Sequence, residues 1–579
     1  MASRKVGTLW FLVALASIAA VPANAQSFRV QCPTSTITHP VQTVTNGTVN
    51  NPHLPVDNNS EPAYTVPTVF APLSATTYPQ PLSNVNGAIK CQQVSGGDGY
   101  ATMADGTQTF MFSFGPLSGL TKIANGQAGT DFPYEFNSMY LGTLLPGDPA
   151  TTDGVSAGSW PGFPLNTAGF TWDGAVGIAP DTDAIADGIC TAPCLDGHVD
   201  PRQIEDIGVM NGNIPAPLVA FDEDDEMFLT LTNVGMIMRP DLFEQHTIHF
   251  HGYPNASSVY DGVPDASVAI NIGGSFTYYY FAPDAGTYFW HCHITPPEHL
   301  QMGMVGQLYV RPRQNRVPTG TTLYAGLQAQ QTDLRTACRR PGDGAIPTVS
   351  AAPDILCANP LPPVANANMT GGFSNGTATK KFAYNDGDGV TQYDVEYALQ
   401  IHGFDPNFHF VGMTFNPENF ATMKDKYFLL NGRSYPDTVT PGPLATQSSD
   451  GRVHFSQPLP SIINIPSGGR ALLRIADLDV SEYQTLASLG IRMHEIGFNA
   501  KLLRDQAGNN LDFYTNSITL GGGESLDVIL DACAVARNSD GSCTTSIPSG
   551  TYYLYTPNLD HLSNDAENFG GLMTEVHVN

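Results

Sequence analysis

Short runs of apolar, aromatic and β-branched residues recur along the chain, and polar stretches rich in glycine and proline separate them. The clearest runs are Thr107–Phe114, Met227–Thr232 and Ser275–Phe281. Such residues favour the half-buried surface of a strand, where side chains alternate between two faces. With 57 glycines and 45 prolines in 579 residues, the chain favours short strands and loops over long helices. The pattern therefore predicts an all-β fold.

Several motifs of the first half of the chain return in the second half. The matching segments are Asn211–Pro215 and Asn431–Pro436, Ile272–Ser275 and Leu520–Gly523, and Gly286–His293 and Gly550–Pro557. In addition, His494 in Ile491–Gly497 corresponds to His249. We therefore expect two similar domains in tandem.

At 579 residues the chain is too long for one compact domain. The repeat and the shifts in composition predict a signal peptide at 1–25, a loop-rich extension at 26–97, a first domain at 98–312 with an insertion at about 116–205, a linker at 313–392 and a second domain at 393–579.

The acidic net charge of the chain limits the classes of partner that it can bind. The chain has 53 acidic and 25 basic residues, a formal net charge of −28. Such a chain repels phosphate backbones and anionic membrane surfaces, so nucleic acid is not an expected partner. The short run Asp222–Glu226 is expected to be a solvated turn before a strand rather than a metal site or a site for a cationic partner.

The first residues of the chain are typical of an export signal. Arg4 and Lys5 precede an apolar run at Leu9–Val21, and Ala23–Ala25 offers a small-residue cleavage site. The run is shorter than the roughly 20 residues that span a bilayer, and no later stretch is predicted to cross one. We expect a periplasmic, cell-surface or secreted protein in a compartment that permits disulfides.

Nine cysteines leave one thiol over if the others pair. Sequential pairing gives the hypothetical disulfides Cys32–Cys91, Cys190–Cys194, Cys338–Cys357 and Cys533–Cys543. A metal site at Cys190 and Cys194 is an alternative, but no histidine or second cysteine pair accompanies them at a zinc-like spacing. The remaining thiol, Cys292, lies between two histidines.

Six of the fifteen histidines fall within 54 residues around this cysteine. They occupy His246–His251 and His291–His299, which we predict to be strands or strand ends. Because alternate residues of a strand share a face, His291 and His293 point one way and Cys292 points the other. One strand can therefore serve two metal centres, with the thiolate inside the domain and the imidazoles at its surface.

We predict an interior centre formed by His246, Cys292 and His299, with Met304 as a weak fourth ligand. Thiolate and imidazole select copper or zinc over calcium and magnesium. A thioether favours the copper of an electron-transfer site, because zinc gains little from it. Two alternatives remain open: Met302 could replace Met304 as the ligand, and His246 could be structural.

These motifs resemble those of the multicopper oxidases and of their relatives, the copper nitrite reductases. His246–Gly252 resembles the family's His-Pro-x-His-Leu-His-Gly motif, Gly286–Met304 its cysteine-containing motif, and Asn211–Pro217 its opening strand and turn. The resemblance implies two tandem cupredoxin-like Greek-key β-sandwich domains, here with long loop insertions and an N-terminal extension. It also implies that electrons pass from a type 1 (blue) copper through Cys292 to His291 and His293. The implied ligands are His246, Cys292, His299 and Met304 for the type 1 copper, His249 for a type 2 copper, and His251, His291 and His293 for a type 3 pair.

The chain departs from the family in two respects. Seven residues separate Cys292 from His299, two more than is typical, so the loop at Thr295–Glu298 should be reshaped. The family's trinuclear cluster uses four His-x-His pairs, and this chain supplies two. A second copy related by a two-fold axis could supply the rest, a different chain could do so, or the half-site could hold a single copper as in a nitrite reductase.

The second domain is expected to be free of copper. Tyr555–Pro557 stands where the first domain has His291–His293. His494 and His561 are expected to be structural, while His402 and His409 are candidates for additional ligands.

The expected function is that of an exported copper oxidoreductase of multicopper-oxidase type. A one-electron donor (a small molecule, a metal ion or a redox protein) would reduce the type 1 copper, and the histidine-bound coppers would pass electrons to dioxygen. Asp261 and Asp265 are candidate proton donors. Two other functions remain open: a blue-copper electron-transfer protein or nitrite-reductase-like enzyme with an incomplete cluster, and a copper-binding structural module.

Overall fold

A computed structural model of the chain describes residues 84–116, 212–328 and 360–579, apart from short gaps. It also describes 36, 38–39, 44–45, 48–49, 63–70 and 81–83. The gaps are 237–238, 240–241, 243, 253–257, 273, 283, 364–367, 415–418, 448–452, 506, 539 and 566. The predicted signal peptide, most of the predicted insertion, the side chain of Cys91, and Cys32, Cys190, Cys194, Cys338 and Cys357 lie outside the described residues.

Strands predominate, which confirms the all-β prediction. Four short strands come first: β1 (Val44–Thr45), β2 (Thr48–Val49), β3 (Val69–Phe70) and β4 (Pro81–Ser83). The first domain follows with β5 (Ile89–Thr102), β6 (Gln108–Pro116), β7 (Val219–Asp222), β8 (Glu226–Gly235), β9 (His249–His251), β10 (Ser275–Phe281), β11 (Gly286–His291) and β12 (Val305–Arg311).

These eight strands form a β-sandwich. One sheet has the order β10-β8-β5-β6 and the other the order β7-β12-β11-β9. Their inward-facing apolar side chains form one buried core, which includes Phe112, Trp290 and Cys292. β5 begins at Ile89, pairs with β8 as far as Gly97 and continues to Thr102, so this strand runs across residue 98, the predicted start of the domain.

The segment between the domains contains short elements. They are the 3-10 helix Arg313–Arg316, α2 (Leu323–Gln328), β13 (Phe373–Ser374), β14 (Thr377–Ala378), β15 (Lys381–Phe382) and β16 (Gln392–Tyr393). Helix α1 (Pro296–Met302) precedes them, inside the first domain. Where it is described, the predicted linker is packed: Val317, Leu327 and Phe382 share a small buried cluster with Tyr64.

The second domain is a larger sandwich. Its elements are β17 (Val395–Phe404), α3 (Pro406–Met413), β18 (Tyr427–Leu430), β19 (Leu444–Gln447), β20 (Val453–Ser456), β21 (Ile463–Ile465), β22 (Arg470–Asp477), β23 (Gln484–Leu489), β24 (Met493–Phe498), β25 (Lys501–Leu502), β26 (Phe513–Thr515), β27 (Ser517–Leu520), β28 (Glu524–Asp531), β29 (Gly550–Tyr555) and β30 (Met573–Val578). The seven-stranded sheet runs β18-β17-β22-β28-β24-β25, with β26 also on β24. It faces the five-stranded sheet β21-β30-β29-β23-β27 across a second apolar core.

The two domains are in direct contact. The Thr287 hydroxyl in β11 donates to Asp527 Oδ1 in β28 at 2.6 Å. Arg311 of β12 and Arg474 of β22 both donate to the Glu396 carboxylate, at 2.8 and 3.1 Å. The contact therefore sets one wall of the second domain against the strands that carry the predicted metal ligands.

The acidic run Asp222–Glu226 differs from its expected form. It does form a turn before β8, but all five side chains are buried. Lys90 Nζ lies 2.8 Å from Asp225, and Arg313 pairs with Asp224 through Nε at 2.7 Å. The expectation of a solvated turn was wrong because the balancing cations come from distant parts of the chain. No described helix is long and apolar enough to cross a bilayer.

Candidate metal centre

The ends of two adjacent strands bring the two histidine motifs together. β9 pairs with β11 in antiparallel register, with His249 opposite His291 and His251 opposite Phe289. Cys292 directly follows β11, and its backbone N–H donates to the carbonyl of Met304 at 3.2 Å. The hairpin pairing of β11 with β12 therefore fixes the cysteine between the core and the end of the sheet.

The predicted interior ligands meet in the core. The ligand atoms of His246, Cys292 and His299 all lie within 4.8 Å of one another, and the three residues are fully buried. His299 Nδ1 is 3.2 Å from Cys292 Sγ, and the backbone N–H of Thr247 donates to the same sulfur at 3.4 Å. Met304 and Met302 are both buried in the same core.

The electrostatics of this group favour a metal-binding thiolate. Burial alone would raise the pKa of the Cys292 thiol, but His299 and His246 hold that pKa well below its usual range. Burial tends to lower the pKa of His299, yet Cys292 and Glu244 raise it to about 9. Burial lowers the pKa of His246. Without metal, the site therefore holds a thiolate beside an imidazolium and a neutral imidazole.

The donor set fits copper. Both ring nitrogens of His246 are buried without a hydrogen-bond partner among the described residues, and a metal–nitrogen bond would satisfy one of them. His299 directs Nε2 toward Glu244, 3.5 Å away, and leaves Nδ1 on the side of the sulfur. Two imidazoles and a thiolate with methionines close by suit an electron-transfer copper.

A helix fills the long gap between Cys292 and His299. Pro296 and Pro297 occupy the first turn of α1, where proline's missing N–H costs nothing. The second domain braces this helix: His402 Nε2 donates to the Leu300 carbonyl at 2.8 Å. His409 lies between the carbonyls of Phe110 and Gln301, at 3.0 Å or less from each. His402 and His409, candidates for extra ligands, lie outside both ligand groups and support the backbone around His299.

Two residues outside the predicted ligand motifs, Gly96 and Phe112, also shape the interior site. A Cβ at Gly96, in β5, would lie 2.8 Å from His246 Cδ2, so the glycine leaves room for the imidazole. Phe112 packs edge-on against the ring of His299, with the centroids 5.0 Å apart. Glycine in a strand interior is a signal of close approach, but Gly96 lies within the predicted N-terminal extension and was not predicted to be near the site.

The predicted surface ligands form a second group. The ligand nitrogens of His249, His251 and His291 lie within 4.8 Å of one another. His249 Nδ1 donates to the carbonyl of Asp261 at 2.6 Å, and His291 Nδ1 donates to the carbonyl of Cys292 at 2.7 Å. A carbonyl only accepts, so both rings carry the proton on Nδ1 and keep a lone pair on Nε2 for a metal.

His251 and His291 meet through their Nε2 atoms, which are 2.8 Å apart. Burial and the neighbouring imidazoles lower the pKa of His251 to about 4, and burial lowers that of His291 to about 3. The two imidazoles are therefore neutral at neutral pH. His293 is beside the group rather than within it, with its ring centroid 5.0 Å from that of His249.

A pocket of about 530 Å³ opens in front of this second group. His251 and His291 line one side, and the second domain lines the other. The second-domain wall carries the acidic side chains Asp479, Glu482 and Glu524 and contributes no histidine to the lining. Asp261, a candidate proton donor, has Oδ2 3.8 Å from His249 Nδ1, whereas Asp265 is exposed.

Within the described parts of the chain, both potential ligand groups belong to the first domain. In the second domain, His494 stacks on Tyr514 and pairs with Asp512 at 3.1 Å. His561 contacts Gln484 and Glu482, both at 2.8 Å. Of the predicted disulfides, Cys533–Cys543 is present, and Cys292 is buried and forms no disulfide.

A thiolate and two imidazoles at the strand ends of a β-sandwich define a cupredoxin-type metal-binding domain. Residues 196–315 match the family model described as multicopper oxidase. This segment is therefore similar to the multicopper oxidases, a family that uses copper.

Among similar proteins, a multicopper oxidase (MCE) of Talaromyces pinophilus is 32% identical over 144 residues, which cover 24% of this chain and 22% of that protein. A laccase (abr2) of Aspergillus fumigatus is 35% identical over 109 residues, 18% of this chain and 17% of that protein. The match thus spans about a fifth of each relative. Two solved structures are also similar. A blue copper oxidase from Nitrosomonas europaea is 20% identical, with 64% of this chain and 78% of that chain covered and a TM-score of 0.38. The multicopper oxidase mgLAC is 14% identical, with 85% of this chain and 87% of that chain covered and a TM-score of 0.43.

Proposed function

We propose that the protein is an exported copper-dependent oxidoreductase that takes electrons from a one-electron donor and passes them to dioxygen. The observation that carries the proposal is the position of Cys292, which joins two groups of ligands. Its sulfur belongs to the interior group, while its peptide neighbour His291 belongs to the group that opens into the pocket.

His246, Cys292, His299 and Met304 would hold a type 1 copper, and His249, His251, His291 and His293 the type 2 and type 3 coppers. Bound copper supplies one-electron redox chemistry at both places. The hydrogen bond from His291 Nδ1 to the Cys292 carbonyl orients the imidazole and adds a contact between the two groups, at 2.7 Å. Electrons would enter at the buried thiolate and leave along the Cys292 backbone toward His291 and His293.

The protein supplies different surroundings to the two groups. The interior group is enclosed by aromatic and aliphatic side chains that exclude water, which suits electron transfer without ligand exchange. The second group faces the pocket, where a small oxidant has room to bind. Asp261, beside His249, is placed to hold a proton near this group.

The facing wall favours a second candidate function. Because Asp479, Glu482 and Glu524 occupy the second-domain side, one chain alone presents half of a trinuclear ligand set among the described residues. An incomplete cluster would suit an electron-transfer protein or a nitrite-reductase-like enzyme. Association of two copies around a two-fold axis would instead complete the oxidase set.

Copper content and oxygen consumption test these alternatives. Several coppers per chain or per dimer, with oxygen consumption that His293→Ala abolishes, would support the oxidase. One copper per chain, an intense thiolate-to-copper absorption band and no oxygen consumption would support electron transfer. Sedimentation equilibrium with and without copper distinguishes the oligomeric forms, because a strict monomer with full activity excludes completion by a second copy.

A further inference from the structure

The second domain has a cationic pocket, which is unexpected in a chain of net charge −28. The pocket is about 330 Å³ and lies against β22, β24, β26 and β28. The loop closed by the disulfide Cys533–Cys543 forms another of its walls. Three arginines line it, Arg470, Arg492 and Arg537, together with His494 and Tyr514.

One of these arginines is already neutralised. Arg537 donates to both carboxylate oxygens of Asp531, at 2.6 and 2.9 Å, and to the carbonyls of Gly468 and Gly541. The other acidic residue of the lining, Asp388, is paired with Arg504 at 2.7 Å. The two lining carboxylates therefore have cationic partners other than Arg470 and Arg492.

Arg470 and Arg492 have no ion pair in the described parts of the chain. Arg470 is only 7% exposed, and its Nε has no hydrogen-bond partner among the described residues. Burial and the nearby Arg537 lower the pKa of Arg470, against the opposing effect of the carboxylates of Asp394, Asp531 and Asp386. The guanidinium of Arg492 lies over the ring of Tyr514, 4.6 Å from its centroid. A buried guanidinium that makes no direct ion pair is costly, so a bound anion would stabilise Arg470.

We propose that this pocket binds an oxyanion, a carboxylate or phosphate group, between Arg470 and Arg492. The planar guanidinium group presents its N–H donors in a fork that matches the paired oxygens of such groups. The stacked rings of His494 and Tyr514 give the site one flat wall, with ring centroids 4.4 Å apart. His494 pairs with Asp512, so this imidazole acts as wall rather than as the principal anion ligand.

The site is separate from the copper ligands. β22 begins at Arg470 in this pocket and ends at Asp477, next to Leu478 and Asp479 of the pocket in front of His291. Eight residues of strand span roughly 25 Å at about 3.3 Å per residue. The proposal therefore stands independently of the oxidoreductase activity.

Calorimetric titration of the full-length, copper-loaded protein at constant ionic strength tests the site. The probes are inorganic phosphate and benzoate, with chloride as the background anion. The proposal predicts saturable binding of one anion per chain. Arg492→Gln and Arg470→Gln should each weaken it by roughly 10–100-fold, as expected for loss of a charge-assisted hydrogen bond. The exposed Lys424, outside the pocket lining, provides a matched control, and Lys424→Gln should bind as the unchanged protein does.

The outcomes separate clearly. Tighter binding of benzoate would identify an organic acid as the ligand, and tighter binding of phosphate would identify a phosphate group. Arg492 is exposed, so its variant keeps the test valid even if Arg470→Gln fails to fold. Absence of saturable binding of both anions, or an equal loss of affinity in Lys424→Gln, would overturn the proposal.

Discussion

His299 Nδ1 lies 3.2 Å from the sulfur of Cys292, and the two groups form an ion pair in a core that excludes water. The contact raises the pKa of His299 to about 9 while holding the pKa of Cys292 well below its usual range. At neutral pH the proton therefore resides on the imidazole, and the thiolate is ready to bind a metal.

Copper binding at this site should release about one proton at pH 7, because copper needs the neutral imidazole of His299 and finds the thiolate already formed. The release should fall toward zero above pH 9, where His299 is neutral before the metal arrives. Calorimetry in buffers of different ionisation enthalpy measures the number of protons released, and subtraction of a Cys292→Ala titration isolates the contribution of the interior site. Release of two protons at pH 7 would mean that the thiol, too, is protonated in the metal-free protein.

Gly96→Ala should disturb the interior site from the opposite sheet. The new Cβ would lie 2.8 Å from His246 Cδ2, so the imidazole must shift. We expect an altered or weakened thiolate-to-copper absorption band and a loss of about 1–3 kcal/mol of stability through overpacking. Gly99→Ala in the same strand is the control, since its Cβ would meet the Gly212 carbonyl rather than a ligand. A spectral change of equal size in both variants would attribute the effect to general distortion of β5.

Features of the fold and the site that depend on neighbouring residues could be predicted from the sequence, whereas contacts between distant parts of the chain could not. Strand alternation and the spacing around Cys292 are local, so they predicted the all-β fold and identified residues that the structure brings together. Gly96 and the cations around Asp222–Glu226 act across tens to hundreds of residues, and no local pattern indicates which segments will meet. The same limit applies to the second domain, whose acidic wall faces His291 only after the chain has folded back.

The contact between the domains should weaken in acid. Burial tends to raise the pKa of Glu396, but Arg311 and Arg474 lower it to about 2. A carboxylate whose pKa is lower in the folded protein stabilises it fully above the unfolded value of about 4.5, and this contribution is lost as the pH falls from there toward 2. The contribution is on the order of 3 kcal/mol.

Denaturant unfolding between pH 7 and pH 2 measures how much of the free energy of unfolding depends on this carboxylate. Glu396→Gln should be less stable at pH 7, because it removes the carboxylate that Arg311 and the buried Arg474 share, and its stability should depend less on pH below 4.5. Asp560→Asn, at an exposed carboxylate, should keep the pH dependence of the unchanged protein. Parallel pH curves for Glu396→Gln and the unchanged protein would show that this ion pair does not carry the acid sensitivity.

Finally, the two ligand groups should lose metal separately. His251→Ala removes one of the two facing Nε2 atoms at the pocket but touches none of the interior ligands, so copper content should fall while the thiolate-to-copper band persists. Cys292→Ser should abolish that band and spare part of the copper, because the lone pairs of His249, His251 and His291 do not depend on the sulfur. His561→Ala is the matched control, since this histidine contacts Gln484 and Glu482 and belongs to neither group. Loss of the band in His251→Ala would show that the groups form one interdependent site, and the assignment of electron entry and electron delivery to separate ligands would then fail.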